Sequence, residues 1–100
     1  MGYRLYVRVS NNPVYYEWME LGKQYAPEWD EFNKKWFGIE DGRGDIFYTD
    51  AKEFYDELIE VNNRVLQTKY SDYDLYNLDI LEDMVKETIR EKQFLEFKSY

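Results

Sequence analysis

The sequence predicts an α+β fold: an N-terminal antiparallel β-hairpin, forming a small sheet, packed against two to three α-helices. Three observations predict it. Residues 3–9 alternate apolar and polar with period two, residues 54–66 repeat apolar positions at helical spacing, and residues 78–89 do so again. A chain of 100 residues supports one core and not two, so residues 1–100 are expected as a single domain.

The hairpin opens the chain. Tyr3, Leu5, Val7 and Val9 share one strand face, while Arg4, Tyr6 and Arg8 share the wet one. Ser10-Asn11-Asn12-Pro13 is a turn cluster. Val14 to Met19 is rich in β-favouring aromatics and reads as the return strand, which Gly22 ends or bulges. Pro27 suits the first position of a short helix whose Trp29, Phe32 and Trp36 lie on one side, with Gly38 as its stop. Acids near its start and Lys34 and Lys35 near its end match the helix dipole. Glu40 to Asp45 reads as a loop, and Ile46-Phe47-Tyr48 as a brief third strand.

The next helix is the clearest element. Thr49 or Asp50 is its expected cap, and Asp50 with Glu53 three later is a capping-box variant. Phe54, Leu58, Val61 and Val65 form its apolar stripe, flanked by Ile59 and Leu66, with Asp56, Glu57, Glu60 and Arg64 on the wetter side. Gln67 to Tyr76 is a polar, Tyr-rich connection. A third helix is expected from about Asn77 to Lys92, with Leu78, Leu81, Val85 and Ile89 as its stripe and Met84 beside it. Phe94 to Lys98 reads as either the last turns of that helix or a closing strand, with the strand favoured.

Charge and missing residue types narrow the chemistry. Thirteen Lys+Arg against 21 Asp+Glu give a net charge of −8. That balance opposes direct binding of nucleic acid or of an anionic membrane, and favours a basic protein surface. With neither Cys nor His there is no thiolate nucleophile, zinc-thiolate site or imidazole base. No signal-like run or membrane-length apolar stretch is present, and the expected compartment is the cytoplasm. Phosphate-cradling and nucleophile-elbow motifs are missing. The acidic clusters Glu40 to Asp45 and Asp72-Tyr73-Asp74 lack the ligand order of a calcium loop, and Arg43 would repel a cation. No catalytic residue, metal or cofactor is expected, so the chain reads as a non-catalytic binder.

The informative constellation combines acids with rings. Eleven Tyr, six Phe and three Trp stand among the acids, and Tyr is enriched at recognition interfaces. The expected partner-binding residues are Asp56, Glu57, Glu60, Tyr70, Asp72, Tyr73, Asp74, Tyr76, Asp79, Glu82 and Asp83. Carboxylates spaced by rings can present charge like a phosphate backbone and dock into a groove lined by Lys and Arg. Segments such as Tyr70-Ser71-Asp72-Tyr73-Asp74 and Asp56-Glu57-Leu58-Ile59-Glu60 give the chain the general character of small acidic anti-defence proteins of phages and mobile elements. It resembles the anti-CRISPR proteins in that character, without a family motif. The resemblance implies an inhibitor occupying the nucleic-acid-reading surface of a CRISPR effector nuclease in a bacterial cytoplasm. The alternative is a structural protein forming a homo-oligomer, such as a homodimer, through its aromatic surface. Net charge runs from +1 over residues 1–25 to −3 over 26–49, −2 over 50–70 and −4 over 71–100, which places the binding surface in the second half.

Overall fold

The computed structural model describes residues 4–38 and 42–99. Tyr3 and the acids Glu40 and Asp41 lie outside the described residues. In chain order the elements are β1 (Arg4–Val9), β2 (Met19–Lys23), α1 (Glu28–Phe37), β3 (Gly44–Phe47), α2 (Ala51–Val65), α3 (Leu78–Glu91) and β4 (Phe94–Ser99). Four strands form one antiparallel sheet in the order β2-β1-β4-β3. The fold is α+β, with the N-terminal hairpin packed on helices.

Period-two burial in β1 and β4 makes the sheet two-faced. Leu5, Val7, Val9, Leu95, Phe97 and Ser99 are buried beneath the helices, and the residues between them point the other way. The helical stripes answer from above. Phe54, Leu58, Val61 and Val65 are buried on α2, and Leu81, Met84, Val85 and Thr88 on α3. Ile89, an expected stripe member, is 40% exposed, because α3 turns its Met84–Thr88 side inward instead. The high aromatic content finds its use where α1, α2 and β4 meet. Phe54 packs against Phe32, Trp36, Phe37 and Phe97 with ring centroids 4.8–5.9 Å apart.

The return strand is displaced from its expected position. Of Val14 to Met19 only Met19 belongs to β2, which runs on to Lys23. Asn12 is the cause: its buried Oδ1 accepts the backbone N–H groups of Val14 and Tyr15 at 2.9 and 3.0 Å, a local turn that outcompetes the ladder. Gly22 does sit at a bulge. Leu5 pairs with Gly22 and Tyr6 with Glu20, leaving Leu21 as the extra residue.

Smaller differences are local. Pro27 occupies the cap position of α1, one residue before its first turn, while Gly38 stops the helix in the left-handed conformation at φ 72°. Asp50 stands at the cap of α2 without a side-chain capping bond, so the expected capping box does not form. Gly44 and Asp45 belong to β3 and Tyr48 to the turn after it, because Gly44 to Phe47 pair with Phe97 to Phe94. The closing strand exists, but β4 lies in the middle of the sheet between β1 and β3.

Candidate functional site

The two layers carry different charge. The three helices hold twelve acids against six bases, a net of −6, whereas the four strands hold three acids against four bases, a net of +1. Acids are therefore concentrated on the outer side of the helical layer, where helix exteriors meet solvent.

Between α2 and α3 one phenol feels the charge of several acids. The half-buried Tyr55 hydroxyl lies 3.4 Å from the Leu78 carbonyl oxygen, to which it donates. Burial pushes the Tyr55 phenol up, and the charges of Glu82, Asp56 and Asp79 push it further, with Lys52 opposing. Lys52 Nζ meets Asp56 Oδ1 at 2.6 Å, and the Lys52 pKa is raised by that bond and by the charges of Asp56 and Glu82. Glu82 is 4.0 Å from Lys86. Glu60, Asp79 and Asp83 are exposed, and among the described residues no cation stands in ion-pair contact with them. The arrangement offers fixed negative charge beside a ring, a setting suited to Lys or Arg side chains.

Glu57 departs from the expected wet face. It turns toward α1, where Lys35 Nζ sits 2.6 Å from its Oε1 and 3.9 Å from Glu53. Its charge is answered inside the protein, beside a groove of about 160 Å³ lined by Glu31, Phe32, Lys35, Glu57, Val61 and Arg64.

The Tyr-rich connection forms a separate end. Buried Asn62 accepts the Leu75 N–H on its Oδ1 at 2.7 Å, pinning the segment to α2. The Tyr76 N–H donates to the Leu21 carbonyl at 2.6 Å, pinning it to β2. Gly22, at φ 129°, makes that approach feasible, since a Cβ there would lie 2.9 Å from the Asp74 carbonyl oxygen. Residues Ser71–Tyr73 form a single 3-10 turn. Tyr73 packs on Tyr25 at 4.5 Å and on Tyr70 at 6.1 Å, with Asp72 exposed and Asp74 half-buried beside them. Tyr76 joins neither group: partial burial and the Glu20 carboxylate raise its phenol at the sheet edge. The eleven expected residues thus divide. The charges of Asp56, Asp79 and Glu82 act on Tyr55, Glu60 and Asp83 stand exposed, and Glu57 belongs to the α1–α2 seam. Tyr73 packs on Tyr25 and on Tyr70 with Asp72 and Asp74 next to it in the chain, and Tyr76 lies by β2.

Sequence reasoning missed the outer face of the sheet. No helix covers it. Trp18 lies across it between two cations, with the Arg8 guanidinium 4.5 Å and the Lys98 ammonium 4.3 Å from the ring centre. Arg8 also pairs with Glu96, and Arg4 with Glu20 at 3.7 Å. Phe47 and Phe94 stack at 5.6 Å alongside. A depression of about 280 Å³ opens there, lined by Arg8, Val9, Ser10, Asn11, Tyr16 and Glu96. Asp45 stands opposite Glu96 in register, and its carboxyl is raised by burial and by that like charge. The Arg4-Tyr6-Arg8 alternation was the available signal. The misplaced return strand hid Trp18.

Among the described residues no three acidic side chains converge as a metal site would need, and no helix is long and apolar enough to cross a membrane. Comparisons with models of protein families, with curated proteins and with solved structures found no match.

Proposed function

We propose that this chain is a non-catalytic binding module that docks its acidic helical layer onto a basic protein surface. The observation that carries the reading is the segregation of charge, net −6 on the helices against +1 on the strands, with the charges of Asp56, Asp79 and Glu82 all acting on Tyr55. A partner groove lined by Lys and Arg would gain steering from the long-range field and contact area from the ring. Proteins that handle nucleic acid present such grooves, so an inhibitor of this kind would occupy the surface its partner uses to read phosphate. The general likeness to anti-CRISPR proteins makes a CRISPR effector nuclease, in a bacterial cytoplasm, the first partner to test.

The test is a binding titration of the protein against such a nuclease at several salt concentrations, with and without competing nucleic acid. Binding should weaken steeply as salt rises and should compete with nucleic acid. The double variant Asp79→Lys/Glu82→Lys, on exposed positions, should bind about tenfold or more weakly while its thermal melt stays near wild type. Unchanged affinity in that variant, or binding indifferent to salt, overturns the reading.

A further inference from the structure

We propose that the outer face of the sheet is a self-association surface, and that its occupant is the same face of a second copy related by a two-fold axis. The face is rich in rings: Tyr16 and Phe47 are each 57% exposed, and Trp18, Phe94 and Tyr6 are half-buried around them. Exposed aromatic area of this kind marks contact surfaces on small proteins.

Charge selects the occupant. Two chains of net −8 repel each other, and the acidic helical layer would bring the repulsion to contact distance. The strands alone carry almost no net charge, and their cations and acids are interleaved: Arg4 beside Glu20, and Arg8 beside Glu96. A polyanion finds little to hold there, because both arginines already face carboxylates within the face. A second copy turned by a two-fold axis meets a face of mixed sign and almost no net charge, so little like-charge repulsion opposes an isologous contact of its rings.

Area sets the strength. Four strands about 4.8 Å apart and up to six residues long, at about 3.3 Å per residue, make a face of about 400 Å² in projection. Side-chain relief brings the buried total for two copies to about 1,200 Å², the lower bound for a specific interface. The dimer is therefore expected at the weak, transient end of specific contacts.

Salt separates this contact from the proposed partner surface. Screening reduces repulsion between two acidic chains, so self-association should strengthen with salt, whereas docking on a basic partner should weaken. The experiment is sedimentation equilibrium of the full chain from about 5 µM to about 1 mM at low and high salt, with tryptophan quenching by acrylamide as a second readout. Trp29 is fully buried already, so a loss of quenching on association reports Trp18 or the half-buried Trp36 of α1. Mass should rise with concentration, more so at high salt, and quenching should fall. Phe47→Glu, on an exposed ring, should raise the dissociation constant about tenfold or more without altering the circular dichroism. Asp79→Lys/Glu82→Lys should leave association intact or strengthen it. A monomer at about 1 mM in both salts overturns the proposal. So does association that salt weakens, that the helical variant abolishes, or that Phe47→Glu leaves unchanged. Capture of a single-stranded oligonucleotide on this face in place of a second copy overturns it as well.

Discussion

Asp45 shows how one side chain can be at odds with the sheet that holds it. It stands opposite Glu96 across the β3–β4 ladder, and like charges in that position destabilise. Glu96 has Arg8, whereas burial and the Glu96 charge raise the Asp45 carboxyl. The sign follows from the direction. A carboxyl raised in the folded state opposes folding when ionised, so its cost is present above the folded pKa and disappears as pH falls below the ordinary carboxylate range. Asp45→Asn should therefore stabilise the protein at neutral pH. The gain should stay below about 1 kcal/mol, because the side chain is largely in water. Denaturant melts of both proteins at pH 7 and at about pH 3.5 check it: the difference should shrink in acid. A variant less stable at pH 7 would show that Asp45 makes a favourable contact instead.

At the scale of elements, local pattern and tertiary demand can be told apart. The alternation Leu5, Val7, Val9 and the stripe Phe54, Leu58, Val61, Val65 were legible because one buried face imposes a period on the chain. Val14 to Trp18 was not, since strand preference for aromatics is a preference for a half-buried surface, and Asn12 denied the segment that surface. The candidate site was legible as composition only: acid density pointed to the second half, but not that the charges of Asp56, Asp79 and Glu82 would all act on Tyr55. That Lys35 would take Glu57, or that β2 would take Tyr76, depends on helix rotation and on a crossover the sequence does not spell. Gly22 is the hinge of that second assignment. Gly22→Ala would force its Cβ against the Asp74 carbonyl and the Tyr76 ring at φ 129°, at a cost of about 1–3 kcal/mol. Hydrogen exchange should find the Tyr76 amide, which donates to Leu21, less protected than in wild type. Equal protection in the two proteins would show that the connection does not depend on this close approach.

For the molecule as a whole, a cluster of rings joins the two layers within a largely aliphatic core. Phe54 reaches from α2 to Phe97 on β4 and to Phe32, Trp36 and Phe37 on α1, so one side chain ties three elements together. Phe54→Ala should cost about 3–5 kcal/mol, a large share of the roughly 5–15 kcal/mol that stabilises a domain. Its denaturation midpoint should fall far more than that of Phe47→Glu, whose ring is mostly in water. Comparable losses in the two variants would refute the central place given to Phe54. The same arrangement separates duties: the core fixes the layers, and each layer keeps an outer surface of its own, acidic on one side and aromatic on the other.

The position of β4 has a consequence for how the molecule is made. Its neighbours on either side, β1 and β3, precede it on the chain, and Leu5 pairs with Ser99 across nearly the whole sequence. During synthesis the hairpin of β1 and β2 emerges first and has only its own weak pairing, since an isolated two-stranded ribbon is barely stable in water. The β1 edge at Val7 and Val9 stays unpaired until residues 94–99 have left the ribosome and can slide between the two waiting edges. Until then the nascent chain carries two unpaired strand edges, and closing so long a loop makes the final insertion slow compared with helix formation.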